Sequence, residues 1–231
     1  MYNDKYKELV HTILTKGQWQ EARNGQCLII PHYSFTINAK DWRLNLRKMW
    51  YSGVRAEWDT LMDTENPLTN VKQFKDRGCN YWDNFAAEDG SIRLDYYDML
   101  HSQLEDVIKN IKRNPHDRGH VVELWNHNNV KSGVLSLRCC WHGFTISVIG
   151  STAHLNWVQR SVDTMLGLPA DVYLAYLFLN HICDEVGLNM GTMSFDLSNA
   201  HIYQQHIDGA KEIMNRTEAD YNKPLKFELI P

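Results

Sequence analysis

The sequence has few cysteines and lacks the spacings that would give them a structural or metal-binding role. There are five, an odd number, and no two are spaced as Cys-x-x-Cys (Cys27, Cys79, Cys139, Cys140 and Cys183). A disulfide framework and a zinc or redox pair are therefore both disfavoured. The first ten residues contain no apolar stretch typical of a signal peptide. We expect free thiols in a reducing, cytoplasmic environment.

Long apolar runs, internal repeats and a strong excess of charge are also absent. No stretch approaches the roughly 18 consecutive apolar residues needed to span a bilayer, so we expect no membrane partner. The formal net charge is −4, which gives no broad positive surface for nucleic acid. The chain has 231 residues and 43% hydrophobic content, enough for one substantial core. We expect a single domain over residues 1–231.

Helix and strand patterns follow one another without a regular order. Apolar positions at helical spacing predict four helices, at residues 3–16, 41–62, 96–112 and 172–186. Runs typical of strands lie at residues 26–39, 121–126, 134–141, 144–150 and 153–158. Pro31 predicts an edge position or a bend in the first of these strands. The absence of a βαβ rhythm favours an α+β fold with a mixed or antiparallel sheet.

Residues 138–206 contain the side chains that are best suited to catalysis or ligand binding. They contain a cysteine pair, an Arg-Ser-x-Asp run, a Pro-x-Asp and a His-x-Tyr. Each alone has an ordinary explanation. Cys140 would be a buried structural thiol, Arg160 a solvated or ion-paired arginine, and His201 a packed histidine. Their order and spacing carry the argument instead.

That order resembles the thymidylate synthase family. The catalytic cysteine of the family precedes the arginine of a Gln-Arg-Ser-x-Asp signature by a fixed interval, and the interval from Cys140 to Arg160, in the run 159–163, agrees with it without a gap. A Leu-Gly-Leu-Pro run at 166–169 and a His-Ile-Tyr run at 201–203 also match. The N-terminal half agrees more loosely, through Arg23, Glu57, Trp82, Asp83, Tyr96, Asp117 and Arg118. The resemblance therefore covers most of the chain.

The resemblance implies an α+β domain with a mixed sheet packed against helices, and a homodimer in which the two sheets face each other. It also implies that Cys140 is the nucleophile. A thiolate that adds to C6 of a pyrimidine makes C5 nucleophilic toward the one-carbon unit of 5,10-methylenetetrahydrofolate. Nearby cations, Arg160 first, are expected to favour the thiolate. Cys139 would point to the opposite face of the same predicted strand and have no role.

The nucleotide phosphate is, by the same resemblance, held by arginines. Arg23, Arg160 and Ser161 would bind it from one subunit, and Arg118 from the partner subunit. The family usually has two consecutive arginines at this last place, whereas here Arg118 is followed by Gly119. His120 is the candidate replacement for the missing side chain.

The resemblance assigns the remaining contacts of the nucleotide and the folate. Gln159 would contact the substrate, and Glu57 would organise water and relay protons around the base. The sugar 3′-hydroxyl would be held by His201 and Tyr203. The pterin and its attached ring would contact Trp82 and Asp163, and the folate tail Arg47 or Lys48. The alternative for Trp82 is simple core packing. No metal is expected.

The residue type at position 171 predicts which base the substrate carries. Asp171 follows the Leu-Gly-Leu-Pro run, at the place where thymidylate synthases have asparagine, whose amide complements uracil O4 and N3–H. A carboxyl group complements cytosine instead, because it accepts from the C4 amino group and, when protonated, donates to N3. The chain thus resembles the deoxycytidylate hydroxymethylase branch of the family. The alternative is that Asp171 caps the helix that follows.

The predictions of the product and of the substrate's sugar rest on weaker sequence signals. The segment 224–231 falls where the family has a strand, so we expect the usual closing segment to be absent or shortened. Water rather than hydride would then reach the methylene group, since hydride transfer needs a dry site. The retained Arg160-Ser161 pair favours deoxyribose. We therefore predict dCMP hydroxymethylation, which suits a phage that modifies its DNA cytosines.

Several alternatives stay open at this point. Within the family they are a CMP hydroxymethylase and a dCMP methylase. The alternative that is not an enzyme is a non-catalytic relative that binds a nucleotide or an RNA, in which Cys140 has no role. The last is an unrelated α+β protein with coincidental matches.

Overall fold

Helices account for much of the chain in the computed structural model, which describes residues 1–227. Within those residues there are eight α-helices: α1 Tyr2–Lys16, α2 Tyr51–Leu61, α3 Lys72–Asp76, α4 Asp95–Asp98, α5 Leu100–Arg113, α6 His127–Ser132, α7 Gly167–Val186 and α8 Ile207–Asn215. The strands are β1 Gln18–Ala22, β2 Gly25–Asn38, β3 Val121–Glu123, β4 Trp141–Ile149, β5 Thr152–Gln159, β6 Val162–Asp163 and β7 Asn189–Tyr203.

All of these strands belong to one sheet. Its order is β1-β2-β7-β5-β4-β3, and the short β6 pairs with one end of β7. Most neighbours are antiparallel, but β5 and β6 each run parallel to β7. The sheet is therefore mixed, and the predicted α+β class is confirmed.

One face of the sheet packs against helices and holds the core. Along β5, residues alternate between buried and half-buried, as a strand with one covered face requires. Helix α1 packs on β2, and α7 packs on β5 and β7. Helix α7 is buried along much of its circumference and ends at Gly187, whose φ of 72° gives the left-handed C-terminal turn that glycine adopts most easily. An aromatic cluster of Trp141, Trp157 and Phe178 fills the space between helix and sheet.

The other face of the sheet is polar and half-buried. Thr36 and Ser194 share a hydrogen bond of 2.8 Å across β2 and β7. His154 Nδ1 accepts from the Thr192 main-chain N–H at 3.1 Å. Within residues 1–227, no helix is both long enough and apolar enough to cross a membrane.

One predicted element agrees with the structure in this region and one is shorter. Strand β2 continues past Pro31, which lies beyond the part of β2 that pairs with β1 and so needs no N–H on that side. The next residue, His32, has a φ of 47° and is missing from the ladder with β7, so the edge position and the bend predicted at Pro31 are both found. The helix predicted at 41–62 begins only at Tyr51. The preceding residues form a loop whose main chain bonds elsewhere: Leu44 N donates to the Tyr51 hydroxyl at 2.8 Å, and Lys48 N to the Lys223 carbonyl at 2.9 Å.

Two further predictions need correction around the site. The helix predicted at 96–112 is interrupted at Met99, which separates α4 from α5. The strand predicted at 134–141 is wrong, since these residues form a loop and β4 begins at Trp141. The carbonyl groups of Arg138 and Cys139 bond to the Arg160 side chain instead of a neighbouring strand.

Candidate active site

Cys140 lies in the loop that leads into β4. Its main-chain N–H donates to the Tyr96 hydroxyl at 2.5 Å, and its carbonyl accepts from Arg160 N at 2.9 Å. Cys140 is half-buried, whereas Cys139 is buried and directs its thiol to the Leu124 carbonyl at 3.7 Å. The two thiols therefore lie in different environments, as predicted, but both cysteines belong to a loop and not to a strand.

Arg160 is held in place by the loop that carries Cys140. Its Nε donates to the Cys139 carbonyl at 2.7 Å and its Nη2 to the Arg138 carbonyl at 3.1 Å. The guanidinium carbon lies 5.7 Å from the centre of the Trp125 ring, within the range of a cation–π contact. Trp125 is a contact that the sequence did not reveal, because it lies in a loop far from Arg160 along the chain.

The surroundings of the Cys140 thiol raise its pKa on balance. Burial raises its pKa, and the charge of Asp171 raises it further. Arg160, a hydrogen bond with Tyr96 and Arg23 lower it, but they do not outweigh burial. Arg160 and Arg23 thus act on the thiol in the expected direction, but the net pKa is raised because burial has the larger effect.

Asp171 lies in the second turn of α7 and points toward the end of β5. Its Oδ2 accepts a hydrogen bond of 2.6 Å from Gln159 Nε2. Helix α7 begins at Gly167 with Leu166 before it, so the alternative that Asp171 caps the helix is wrong. Gln159 is fully buried, and its Oε1 has no partner among residues 1–227.

Glu57 is a second buried carboxyl group beside the same site. It accepts a hydrogen bond of 2.9 Å from the Trp82 indole N–H. Burial and the charge of Asp171 raise its pKa to about 8, against the smaller effect of the Trp82 bond. Burial likewise raises the pKa of Asp171 to about 7, although the Gln159 bond lowers it. Near neutral pH these carboxyls can therefore hold or release a proton beside Cys140.

These raised values predict how stability depends on pH. Between about pH 4 and pH 7 the folded protein keeps protons on Asp171 and Glu57 that the unfolded chain has lost, so stability falls as the pH rises. Each group contributes at most about 1.4 kcal/mol per pH unit. We expect Asp171→Asn to flatten this fall and to be more stable than the unmodified protein at pH 8. Urea unfolding at pH 5, 6, 7 and 8 measures it, and parallel curves for the two proteins would contradict it.

The predicted sugar site lies where β6 meets the end of β7. Asp163 pairs with His201 across these strands. His201 Nδ1 and Asn199 Oδ1 lie 3.0 Å apart, and the His201 and Tyr203 rings meet edge to face at 5.1 Å. Burial lowers the pKa of His201 despite the nearby Asp163 carboxylate, which favours a neutral ring. Asp163 Oδ1 accepts from the main-chain N–H groups of Met165 and Leu166, so part of this carboxylate is already used.

The predicted phosphate residues are brought together only in part. Arg23 lies in the turn after β1, with its guanidinium carbon 5.6 Å from the centre of the Phe85 ring. Its charge lowers the pKa of Cys140 and of Tyr203, although burial raises both. Ser161 follows Arg160 and is half-buried. Arg118 is exposed in the loop after α5 and has no side-chain hydrogen bond or ion pair with another residue of 1–227.

His120 does not replace the missing arginine. It is 1% exposed, and its ring nitrogens lie within hydrogen-bond distance of Asn110 Nδ2, at 3.3 Å, and of the Pro115 carbonyl, at 3.2 Å. A buried ring with these two neighbours cannot reach a ligand outside its own loop. That expectation is wrong.

A cavity of about 530 Å³ opens beside the predicted folate residues. One wall is formed by residues 47–50 and the other by Pro224, Leu225 and Phe227. Arg47 Nη2 donates to the Met165 carbonyl at 2.6 Å, while the Lys48 side chain is exposed. Trp82 is 6% exposed and contacts Phe74, so it is a core residue as well as the donor to Glu57. The segment 224–231 was expected to lie where the family has a strand; residues 224–227 are not in a strand, and residues 228–231 lie outside the described part.

Tyr96 is the contact that sequence reasoning left without a role. Its ring stacks on Trp141 at 4.8 Å, and its hydroxyl meets the main chain of Cys140. It stood among the N-terminal matches, but nothing local in the sequence connects it to residue 140. Within residues 1–227 there is no group of three or more His, Cys, Asp or Glu side chains arranged to hold a metal ion.

The fold is an α+β domain with a mixed sheet, and its site combines a thiol with two carboxyl groups whose pKa values are raised. The family model described as Thymidylate synthase matches residues 4–228. The chain belongs to the thymidylate synthase family, whose members are one-carbon transferases.

Curated relatives agree with this assignment over most of their length. The thymidylate synthase of Fusobacterium nucleatum subsp. nucleatum is 29% identical over 91% of this chain and 82% of the relative. That of Clostridium beijerinckii is 28% identical over 97% and 86%. That of Pseudoalteromonas translucida is 26% identical over 96% and 87%.

Proposed function

We propose that this protein transfers a one-carbon unit from 5,10-methylenetetrahydrofolate to C5 of dCMP with addition of water, which gives 5-hydroxymethyl-dCMP and tetrahydrofolate. The observation that carries the proposal is the Asp171 carboxyl, oriented by Gln159 at 2.6 Å and close enough to Cys140 to raise its pKa. A nucleophile and a group that reads the base edge thus share one site.

The protonation of Asp171 suits cytosine. With a pKa of about 7, this carboxyl is present in both forms near neutral pH. The ionised form accepts from the C4 amino group, and the neutral form donates a hydrogen bond to N3. Uracil offers a carbonyl at C4 and an N–H at N3, so an ionised Asp171 would face O4 without a donor. An unpaired polar group in a buried site costs enough to discriminate between bases.

The chain's own residues support the covalent step. Cys140 loses its proton and its sulfur bonds to C6, while the electron pair of the C5–C6 double bond moves toward C5 and is stabilised by the proton that Asp171 shares with N3. After the one-carbon unit is attached, a base removes the C5 proton, and that electron pair forms an exocyclic C5=CH2 double bond as the bond from this carbon to the folate nitrogen breaks, which frees tetrahydrofolate. Water then adds to the CH2 group with loss of a proton, and the electron pair returns to the C5–C6 bond as the sulfur leaves C6, which restores the double bond. Glu57, with a pKa of about 8, is placed to move protons through water around the base.

The cavity beside residues 47–50 is suited to the folate. Its apolar wall includes Met49, Trp50, Leu225 and Phe227, and Arg47 and Lys48 supply positive charge. An aromatic ring with a dicarboxylate tail has the complementary chemistry. When bound, the folate supplies a carbon at the oxidation level of formaldehyde, so addition of water to the transferred unit needs no reductant. We assign Trp82 and Asp163 to the pterin end.

The phosphate and sugar contacts complete the proposal. Arg23, Arg160 and Ser161 bind the phosphate, and Arg118 is supplied by the partner subunit, which agrees with its exposed and unpaired side chain within the described residues. His201 and Tyr203 hold the 3′-hydroxyl, and Gln159 lies beside the base. We propose that residues 1–231 act as one catalytic domain within a cytoplasmic homodimer. The polar, half-buried face of the sheet is the surface we assign to the dimer.

A panel of nucleotides tests the proposal. The purified protein is incubated with dCMP, CMP or dUMP and 5,10-methylenetetrahydrofolate, and the products are weighed by mass spectrometry. We expect dCMP to gain one carbon, two hydrogens and one oxygen. Gain of carbon and hydrogen alone would indicate a methylase, turnover of CMP a ribonucleotide enzyme, and turnover of dUMP alone would overturn the base assignment.

The relatives' names support a second candidate. Each of the three is named thymidylate synthase, so methylation of dUMP is the activity to compare against. The panel separates the two directly. A wild-type protein that binds dCMP but releases no tritium from C5-labelled dCMP would instead support the non-catalytic alternative.

A further inference from the structure

The buried side chain of Arg216 joins the C-terminal segment to the loop that carries Arg47. Arg216 is 7% exposed. Its Nη1 donates to the Leu46 carbonyl at 2.9 Å and to the Lys223 carbonyl at 2.7 Å, and its Nη2 donates to the Pro224 carbonyl. One guanidinium group therefore contacts the main chain on both sides of the cavity described above.

Glu212 completes this connection from the preceding turn of α8. Its Oε1 accepts from Arg216 Nη2 at 2.6 Å and from Nε at 3.2 Å, and its Oε2 accepts from the Lys226 main-chain N–H at 2.8 Å. Burial would raise the pKa of Glu212, but the bonds from Arg216 and Lys226 outweigh it and lower the pKa. The carboxylate is thus charged at neutral pH and bridges the arginine to the chain segment beyond it.

The main chain of the two segments is also paired directly. Lys48 N donates to the Lys223 carbonyl at 2.9 Å, and Asn222 N donates to the Asn45 carbonyl at 2.7 Å. Residues 45–48 and 222–226 therefore form one unit, in which Arg216 and Glu212 supply the charged bonds. This unit brings Leu225 and Phe227 opposite Met49 and Trp50 across the cavity.

We infer that Glu212 and Arg216 are positioning residues for the folate tail, because together they hold the wall at 223–227 against the loop at 45–48 and so form the cavity that takes the tail. The inference rests on the proposed use of a folate, and it adds residues of α8 and its C-terminal end, which do not line the cavity. Breaking a buried charge pair leaves the remaining charge uncompensated. The wall should then separate from the loop while the nucleotide site keeps its own contacts.

Glu212→Gln tests the inference, because the variant keeps the shape of the side chain and removes its charge. Binding of tetrahydrofolate and of tetrahydropteroate, which lacks the glutamate, is measured by calorimetry, together with binding of dCMP. We expect the Kd for tetrahydrofolate to rise about tenfold, equivalent to about 1.4 kcal/mol. The Kd values for tetrahydropteroate and dCMP should stay within about twofold.

Two further variants distinguish a positioning role from a general loss of structure. Glu105→Gln removes an exposed pair at the same i,i+4 spacing, with Lys109 at 2.7 Å, and should change no Kd. Arg216→Lys keeps the charge but loses the guanidinium donors that bond Leu46, Lys223 and Pro224, and should weaken tetrahydrofolate binding at least as much as Glu212→Gln does. Equal weakening of all three ligands, or an unchanged Kd for tetrahydrofolate, overturns the inference.

The binding measurements also separate this inference from the proposed function. If the wild type turns over dCMP and Glu212→Gln leaves the Kd for tetrahydrofolate unchanged, only the positioning role is refuted. A protein without turnover whose tetrahydrofolate Kd still depends on Glu212 supports the positioning role and refutes the reaction. Equal wild-type affinity for tetrahydrofolate and tetrahydropteroate means that the cavity does not hold the tail, and overturns the inference.

Discussion

Replacing Cys140 with serine is expected to lower the turnover of dCMP by about 10³-fold or more, with dCMP binding changed by only a few-fold. The reason is nucleophilicity: a serine hydroxyl stays protonated where a thiol can ionise. The main-chain bonds of residue 140 to Tyr96 and Arg160 survive the change. Release of tritium from C5-labelled dCMP and calorimetric binding measure the two quantities.

Cys139→Ser is the matched control for this prediction. The Cys139 thiol is buried and directed to the Leu124 carbonyl, and burial raises its pKa to about 12, so we expect it to take no part in the attack. Its contact with Arg160 uses the main-chain carbonyl, which serine retains. Turnover should stay within a few-fold. A Cys140→Ser protein that still forms product, or a Cys139→Ser protein that does not, would show that the nucleophile is misassigned.

Asp171→Asn is expected to shift the preference from cytosine toward uracil by about 100-fold or more in the ratio of kcat/KM values. An asparagine amide donates to uracil O4 and accepts from N3–H, whereas a carboxyl group pairs with the amino edge of cytosine. The variant keeps an oxygen that can accept from Gln159, so its orientation should be retained. Competition between dCMP and dUMP in one reaction gives the ratio directly.

The control for this substitution lies on the same helix. Asp184 is exposed near the end of α7 and accepts from Asn180 at 2.7 Å, so Asp184→Asn makes the same chemical change away from the base. It should leave the ratio unchanged. A cytosine preference that survives Asp171→Asn would place base recognition on another group.

The regular elements followed from periodicity, because their side chains face one core. Helix α1, strand β5 and helix α7 lie close to the predicted ranges, since apolar positions recur at helical or strand spacing in each. Residues 41–50 and 134–140 resembled helix and strand but form loops. Their main-chain groups bond to Tyr51, Lys223 and Arg160, partners that local patterns cannot reveal.

The candidate active site could likewise be predicted from the sequence only in part. The family resemblance predicts that Cys140, Arg160 and Asp171 act together, which stays a prediction, and Arg160 and Asp171 both affect the pKa of the Cys140 thiol. The balance of those effects was beyond the sequence, because burial outweighs Arg160 at the Cys140 thiol. The roles of Trp125 and of the Glu212–Arg216 pair also depend on contacts between distant segments. Long-range packing, rather than motif content, decided each of these.

A crystal structure of the Cys140→Ser protein with dCMP bound tests the central claim most directly. The account predicts that the residue 140 side chain faces C6 of the base while the Asp171 carboxyl lies within hydrogen-bond distance of the C4 amino group and N3. A base bound with its amino edge away from Asp171, or with C6 out of reach of residue 140, would contradict it.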